Sequence, residues 1–341
     1  MSLVGIIANP AASKDIRRLV AQGRVVPDWE KVNILRRVLL GLQAVGIQRV
    51  LAMPDNSHLV QRARDDAQLS LELSLLEMPL YYGEGDTIRA AGLMGENGVG
   101  CLVTLGGDGT NRAVVRGCPS LPMVAISTGT NNVFPTMVEG TLAGLVAGLL
   151  AQGKLDLAKV STASKTLSVY VDGEFRDIAL IDVALSRERF VATRAIWDIN
   201  TIYEVFLTRA EPASIGLSSI GARLQPVSLA DEGGLHFCIG GVEEQGNNGP
   251  APNTRHAGSE VLAPIAPGVI PLVPISRWRR LADGERVAVE RRHCTVALDG
   301  ERAFSLNPSQ QLEVAVHRDG PPVVQVDVAL QEAASLGLFR V

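Results

Sequence analysis

The GGDGT run at residues 106–110 places a single carboxylate, Asp108, among three glycines. Glycine lets other atoms approach the main chain closely and also permits positive φ. The apolar run 101–105 predicts a buried strand before it, and residues 111–116 predict the start of a helix. A strand, a glycine turn and a helix N-terminus can bind phosphate through backbone N–H groups. We therefore predict a phosphate-binding turn with Asp108 as general base, the alternative being a plain tight turn.

A second polar loop, STGTNN at residues 127–132, follows the apolar run 123–126 and precedes an apolar helical segment near 142–150. Small hydroxyl and amide side chains around a glycine can donate hydrogen bonds to a phosphate or a ribose. A polar linker whose Ser, Thr and Asn side chains cap the next helix is the alternative. Ligands of parallel sheets bind at the carboxyl ends of strands. Two such loops predict one shared nucleotide site.

A third loop begins with Asn9-Pro10 at the end of the first apolar run, with Lys14 close behind. A lysine can reach a phosphate as a point charge, although a solvated loop lysine is the commoner case. The candidate nucleotide- and phosphate-binding residues are Asn9, Pro10, Lys14, Gly106, Gly107, Gly109, Thr110, Asn111, Thr128, Gly129, Thr130, Asn131 and Asn132.

The first half of the chain alternates short apolar runs with helical patterns. Strands are predicted at 3–8, 49–53, 71–76, 101–105 and 123–127, and helices at 31–45, after Asn56-Ser57, and at 87–95 with Asp86 as its cap. Strands that alternate with helices indicate a mostly parallel sheet covered on both faces. We predict an α/β nucleotide- and phosphate-binding domain over residues 1–154.

The second half shows alternating apolar residues around Asp-Gly pairs at 172–173, 299–300 and 319–320. Asp-Gly between alternating segments is a strong hairpin signal. We therefore predict a mainly antiparallel β-rich domain over residues 155–328. Residues 243–258 are rich in Gly, Pro and Asn and predict a long exposed loop. A tail, 329–341, could form a short helix that returns to the first domain.

Bulk composition excludes several classes of protein. The 341 residues are 46% hydrophobic and carry a formal net charge of -4, so nucleic acid is not expected as a partner. Four distant cysteines without a CxxC pair predict neither zinc binding nor a disulfide framework. No apolar run is long enough to span a bilayer. We expect a cytoplasmic protein with no stable membrane association and no metal-ligating side chains of its own.

The GGDGT run resembles the motif of the NAD kinase and diacylglycerol kinase superfamily, and the STGTNN loop resembles the GTGN loop of the diacylglycerol kinase branch. From residue 9 to about 327 the chain most resembles the acetoin-catabolism X proteins, an NAD kinase-like group. The segments that carry this resemblance are NP-x3-KDIRRL, GGDGTNRAV, STGTNN-x-FP, FVATRA-x-WD, TRAEPASIGLSSI and PIAPG.

The resemblance implies a kinase that uses Mg²⁺ and ATP, or another phosphoryl donor, to phosphorylate a hydroxyl of NAD or a related nucleotide. It also implies a homo-oligomer. The stretch 211–218 lies where NAD kinases contact the dinucleotide, which makes Ser214, Gly216 and Ser218 acceptor-binding candidates.

The chain also departs from the NAD kinase pattern. Asp182, a further acceptor-binding candidate, replaces a glutamate, Ile181 replaces an asparagine, and Gly268 replaces a histidine. Two alternatives stay open. One is a lipid or small polyol kinase, which the GTGN-type loop supports. The other is a non-catalytic NAD- or nucleotide-binding regulator of acetoin catabolism, which Ile181 and Gly268 support.

Overall fold

A parallel sheet forms the centre of the first half of the chain. The computed structural model describes residues 2–12, 21–23, 25–65, 69–129, 131–188, 190, 198–240 and 255–340. The first five strands are β1 (Leu3–Ala8), β2 (Arg49–Ala52), β3 (Glu72–Leu75), β4 (Cys101–Gly106) and β5 (Met123–Ser127). They are all parallel and lie in the order β3-β2-β1-β4-β5. The carboxyl ends of β1, β4 and β5 therefore lie side by side.

Helices connect these strands: α1 (Asp28–Ala44), α2 (Leu59–Asp65), α3 (Glu84–Glu96), α4 (Asp108–Gly117) and α5 (Gly140–Ala151). α1 and α5 approach each other backbone to backbone, since a Cβ on Gly144 would lie 2.2 Å from the carbonyl oxygen of Val38. Their apolar faces share one core cluster with β1 and β4. Among the described residues, no helix combines the length and apolar content needed to cross a bilayer.

Three helix starts differ from the sequence-based prediction. Asp86 is not the cap of α3, because Gly83 takes that position and Asp86 lies in the first turn. Asp55, rather than Asn56-Ser57, caps α2 by accepting hydrogen bonds from the amides of Ser57 and Leu59. α4 begins at Asp108 itself. Asp55 and Asp86 each accept hydrogen bonds from amide groups at the start of a helix, whereas the carboxylate of Asp108 does not cap α4.

The second half is mainly antiparallel. Its strands are β6 (Ser161–Ala163), β7 (Thr166–Val171), β8 (Glu174–Ala179), β9 (Asp182–Ser186), β10 (Ile202–Leu207), β11 (Gly234–Ile239), β12 (Arg255–Leu262), β13 (Leu272–Leu281), β14 (Arg286–Ala288), β15 (Cys294–Leu298), β16 (Glu301–Leu306), β17 (Leu312–His317) and β18 (Pro322–Val324). Helices α6 (Leu157–Val160), α7 (Leu217–Leu224) and α8 (Val326–Ser335) and a 3-10 turn (Ile199–Thr201) complete the described elements.

Two antiparallel sheets pack face to face around a second core. A seven-stranded sheet has the order β12-β13-β11-β10-β9-β15-β16, and a four-stranded sheet has the order β14-β17-β7-β8. One apolar cluster, which includes Leu167, Phe206 and Val314, takes residues from both sheets. The hairpins predicted at 172–173 and 299–300 are confirmed by the β7–β8 and β15–β16 pairings. The predicted fold class, a mostly parallel α/β region followed by antiparallel β structure, is also confirmed.

The hairpin predicted at Asp319-Gly320 is wrong. β17 pairs with β7 and β14, whereas β18 joins the first sheet between β5 and β6. A turn sequence makes a hairpin only when its flanking strands pair with each other, and here they belong to different sheets. After β18, helix α8 buries Ala329 and Ala333 in the core cluster of the first sheet.

Candidate active site

Three loops meet at the carboxyl edge of the first sheet. The side-chain amide of Asn9, after β1, donates a 2.9 Å hydrogen bond to the hydroxyl of Thr110 at the start of α4. The backbone amide of Thr128, after β5, donates to the carbonyl oxygen of Gly106 at 3.2 Å. The three polar loops singled out in the sequence thus contact one another directly.

Two of the three glycines in the 106–110 run, Gly106 and Gly107, lie where neighbouring side chains leave little space for a Cβ. A Cβ on Gly106 would lie 2.6 Å from the Thr110 hydroxyl, and a Cβ on Gly107 would lie 2.9 Å from the side-chain oxygen of Asn132. Gly107 has φ −107°, which any residue can adopt. Of the two properties of glycine, close approach of neighbouring atoms therefore matters here and left-handed φ does not.

Asp108 is the first residue of α4, and its carboxylate is held by backbone amides. Its Oδ1 accepts hydrogen bonds from the amides of Val133 at 3.1 Å and Phe134 at 2.8 Å. Arg209 in turn donates to the carbonyl oxygen of Val133 at 2.8 Å, and its guanidinium lies 5.9 Å from the centre of the Phe134 ring. Arg209 therefore positions the segment that positions Asp108.

The pKa of Asp108 is raised to about 7. Burial is the largest cause, and the negative charge of Asp299 adds to it. The amides of Phe134 and Val133 and the cation of Arg209 act in the opposite direction. A carboxyl that titrates near neutral pH is well matched to accept a proton at physiological pH.

Asp299 is the second carboxylate of the site, and sequence analysis identified it only as a hairpin residue. It is buried, accepts hydrogen bonds from the amides of Leu180 at 2.9 Å and Ile181 at 2.7 Å, and lies 3.6 Å from Nε of Arg112. Burial raises its pKa, whereas Arg112 and the amides lower it. No local pattern distinguishes this turn from an ordinary Asp-Gly turn.

Two buried cations, both missed from sequence, hold the surrounding loops. Arg112 forms ion pairs with Glu84 at 3.0 Å and Asp177 at 3.3 Å, which ties α4 to α3 and β8. Lys31 is fully buried and donates to the carbonyl oxygens of Pro10 and Ala12, each at 2.8 Å. Its position four residues before the buried Leu35 was a usable signal, because it places a charge on the apolar face of α1.

Two cavities open on either side of Asp108. The first has a volume of about 580 Å³ and lies along the carboxyl edge of the first sheet. The second has a volume of about 690 Å³ and extends towards the antiparallel region. Asp108, Asn131 and Asp299 line both. The carboxylates therefore lie where the cavities meet.

Most of the predicted phosphate-binding residues line the first cavity, together with the predicted base Asp108: Asn9, Pro10, Gly107, Gly109, Thr110, Thr128, Gly129, Asn131 and Asn132. Gly106 and Asn111 lie beneath it, where the side chain of Asn111 donates to the carbonyl oxygen of Gly107 at 2.8 Å. Lys14 and Thr130 fall outside the described residues.

The acceptor-binding candidates differ in whether they line the second cavity. Asp182, Gly216 and Ser218 line the second cavity. Ser214 is not among the described lining residues, and its hydroxyl donates to the carbonyl oxygen of Glu211 at 2.6 Å.

The two positions at which the chain departs from NAD kinases have structural roles. Ile181 is buried in an apolar cluster with strands of the first sheet. Gly268 has φ +76°, a left-handed conformation that favours glycine over histidine. Neither is among the described residues that line a cavity.

Two features of the first cavity fit a phosphate ligand with Mg²⁺. Within the described part of the chain, the buried hydroxyl of Thr128 has no hydrogen-bond partner, which suits a ligand oxygen. The carboxylates of Asp108, Asp299 and Glu301 also line this cavity. Mg²⁺ is usually held by one or two carboxylates together with phosphate oxygens and waters, so the residues present fit it.

A buried polar cluster lies away from the residues that line the two cavities. Nε2 of His236 donates to Glu204 at 2.8 Å, and Cys238 lies 3.9 Å from the same nitrogen. Burial lowers the pKa of His236, but the contacts with Cys238 and Glu204 outweigh it and raise the pKa to about 9. Arg277 donates to the Cys238 sulfur at 3.3 Å, and its positive charge disfavours a divalent cation there.

Sequence comparisons relate both halves of the chain to known protein families. Residues 4–154 match the ATP-NAD kinase N-terminal domain, and residues 165–319 match the acetoin catabolism protein X C-terminal domain. The chain is 38% identical over 350 residues to acetoin catabolism protein X of Cupriavidus necator, an alignment that covers 99% of this chain and 94% of that protein.

Similar solved structures include a diacylglycerol kinase and a putative diacylglycerol kinase, both from Bacillus anthracis str. Sterne. The first is 12% identical and has a TM-score of 0.44, with 95% of this chain and 96% of that chain covered. The second is 14% identical and has a TM-score of 0.47, with 95% and 98% covered. These values are too low to support a comparison of sites.

Proposed function

We propose that this chain, which belongs to the acetoin catabolism protein X family, is a nucleotide-dependent kinase that transfers a phosphoryl group to a hydroxyl. The observation that carries the proposal is the position of Asp108, a carboxylate with a pKa of about 7, at the junction of two cavities. One cavity is lined by phosphate-type loops, and the other is large enough for a separate acceptor.

The donor nucleotide, ATP in this proposal, binds in the first cavity. Its phosphates lie against the helix N-terminus at Asp108–Thr110 and the polar loop after β5, where backbone amides and the Thr128 hydroxyl are available. The cavity carboxylates other than Asp108, those of Asp299 and Glu301, would hold Mg²⁺, which would supply charge neutralisation for the phosphate oxygens. Positioning and electrostatics supply most of the acceleration in phosphoryl transfer.

Asp108 accepts the proton of the acceptor hydroxyl. The hydroxyl oxygen forms a bond to the terminal phosphorus, the bond from that phosphorus to the bridging oxygen breaks, and the nucleoside diphosphate leaves. The proton passes to the Asp108 carboxylate, whose Oδ1 is already oriented by the amides of Val133 and Phe134. Arg209 keeps that orientation by holding the Val133 carbonyl.

The acceptor that we propose is NAD or a related nucleotide, because the first half of the chain matches an ATP-NAD kinase domain. A second candidate, a lipid or small polyol alcohol, is favoured by the second cavity. That cavity has an aliphatic lining of Ile199, Ile215, Leu217, Ile239, Ile265, Val269, Leu272 and Val273. It is also lined by Asp182 and Asp198, whose negative charges would repel the pyrophosphate group of NAD.

The test uses purified protein with Mg²⁺, ATP and NAD, and an NADP-specific coupled assay reports product. Asp108→Asn is expected to abolish NADP formation while preserving the fold and ATP binding. Asp172→Asn, in an exposed turn, is the matched control and should retain full activity. Unchanged turnover in the Asp108→Asn variant would contradict the role of Asp108 as the general base.

Parallel reactions with glycerol or a short-chain diacylglycerol, read as ADP release, distinguish the acceptors. ADP release with these alcohols and none with NAD would favour the second candidate. NAD binding without turnover of any acceptor would favour a non-catalytic regulator. The oligomeric state stays a prediction by resemblance, and light scattering on the same preparation would determine it.

A further inference from the structure

We propose that Tyr82 stacks on the base of the nucleotide in the first cavity. The nucleotide then lies along the carboxyl edge of the first sheet, with its base at Tyr82 and its phosphates at the loops after β4 and β5. The proposal rests on the proposed function only for the identity of the ligand as a nucleotide. Tyr82 would determine the preference of this cavity for a nucleotide over a bare polyphosphate.

The shape of the first cavity supports this orientation. Its lining begins at Leu80 and Tyr82 beyond β3, continues past Pro54 and Asn56 after β2 and Asn9 after β1, and ends at the loops after β4 and β5. From β3 to β5 there are four strand intervals, which span about 19 Å at the usual spacing between neighbouring strands. A nucleoside polyphosphate can fill that length, whereas a single phosphate cannot.

The ends of the cavity differ in chemistry. The β4–β5 end offers the helix N-terminus at Asp108 and the unpartnered buried hydroxyl of Thr128 within the described residues, which suit phosphate oxygens. The β3 end offers the apolar side chain of Leu80 and the ring of Tyr82, which suit a flat base. The positions of these groups therefore set the direction of the ligand.

The Tyr82 ring is held at the cavity by its backbone. Tyr82 has φ +59°, which is uncommon and strained for a bulky residue, and its side chain is 71% exposed. The carboxylate of Asp86 accepts hydrogen bonds from the consecutive amides of Tyr81, Tyr82 and Gly83. This carboxylate therefore fixes the backbone that carries the exposed side chain of Tyr82 beside the cavity.

Tyr81 is a natural control for Tyr82. It is the neighbouring residue, is 73% exposed, and shares the contact of its backbone amide with Asp86. Its ring, however, packs against the guanidinium of Arg89 at 5.5 Å and is not among the described residues that line the cavity. Removing either ring leaves the backbone contacts in place, but only the loss of Tyr82 removes an aromatic surface from the cavity.

The experiment measures binding by calorimetry in the presence of Mg²⁺, with ATP and inorganic tripolyphosphate as separate probes. Base–aromatic stacking is worth enough that Tyr82→Ala should weaken ATP binding by about tenfold or more. Its binding of tripolyphosphate should not change. Tyr82→Phe should bind ATP like the unaltered protein, and Tyr81→Ala should do the same.

Equal weakening of both probes in Tyr82→Ala would overturn the proposal, because it would indicate general damage to the loop. Unchanged ATP binding would overturn it as well. Because binding needs no turnover, the outcome is separate from that of the kinase proposal. If the unaltered protein binds ATP in a Tyr82-dependent way but transfers no phosphoryl group to any acceptor tested, stacking is supported and the kinase proposal is contradicted.

Discussion

Two turns with the same sequence and the same backbone conformation have different roles in this protein. Asp172-Gly173 joins β7 to β8, and Asp299-Gly300 joins β15 to β16. The aspartates have φ +53° and +52°, and the glycines have φ +84° and +73°. Both aspartates accept backbone hydrogen bonds, from the amide of Gln311 in the first turn and from those of Leu180 and Ile181 in the second.

The turns differ in what covers them. Asp172 is exposed to solvent, whereas Asp299 is buried against Arg112 of α4 and raises the pKa of Asp108. The same Asp-Gly sequence therefore forms a solvated turn in one sheet, whereas in the other its aspartate pairs with Asp108 as the second carboxylate of the site. The comparison teaches that Asp-Gly determines the turn, and that the packing of the antiparallel region against the first sheet determines the chemistry.

The largest expected effect comes from replacing each aspartate with alanine. Both substitutions place alanine at the same positive φ, so that cost cancels in the comparison. Asp299→Ala also leaves the buried amides of Leu180 and Ile181 without their acceptor and removes one of the carboxylates paired with the buried Arg112. It should lower the free energy of unfolding by about 3 kcal/mol more than Asp172→Ala does. Urea denaturation measures both values. Equal losses would show that burial of Asp299 contributes nothing to stability.

A smaller effect is expected at Arg209, which supports Asp108 from the antiparallel side. Arg209→Gln removes the hydrogen bond to the Val133 carbonyl and a cation that lowers the pKa of Asp108. We expect a loss of about 2 kcal/mol in unfolding free energy and a shift of the activity profile to higher pH. Activity and urea denaturation should be measured across pH 5 to 9. A profile that moves to lower pH would contradict the role given to this cation.

The raised pKa of Asp108 also makes the stability of the protein depend on pH. The folded-state pKa of Asp108, about 7, lies above the ordinary value of 3.8, so the folded protein binds a proton more tightly than the unfolded chain. Its contribution to stability is therefore complete at low pH and is lost as pH rises through about 7.

Asp108→Asn removes this dependence, and its single side-chain oxygen can still accept from both amides. At pH 8 the variant should be more stable than the unaltered protein by about 1 kcal/mol or more, and near pH 4 the two should be similar. Thermal unfolding across this range measures the difference. A variant that is less stable at pH 8 would contradict the raised pKa.

The smallest effect is expected when each turn aspartate is replaced with asparagine, which removes its charge and preserves the turn. Asp299→Asn preserves the turn, since asparagine tolerates positive φ, but it removes the negative charge that raises the pKa of Asp108. The rising limb of kcat/KM against pH should move to lower pH, opposite to the effect of Arg209→Gln. Asp172→Asn should leave the limb unchanged. A shift in the exposed-turn variant would mean that the assay reports general charge effects.

Much of the site was predictable because it is local. The GGDGT and STGTNN loops follow apolar strands in a parallel sheet, and such strands end at one edge. The direct contacts of Asn9 with Thr110 and of Thr128 with Gly106 are consistent with that rule. The residues that were missed, such as Arg209 and Asp299, come from the antiparallel region far along the chain. Their contacts with the Asp108 loops depend on how the two regions pack.

The sequence by itself determined the alternation of strands and helices, the two true hairpins and the order of the phosphate-type loops. These depend on periodicity and on turn residues, which act over a few positions. Only the tertiary structure decided that β17 and β18 separate into different sheets, that Ile181 is packed in a core, and that Asp299 faces Asp108. A pKa near neutrality at Asp108 depends on burial and on a charge about 190 residues away in sequence, and no local pattern encodes either.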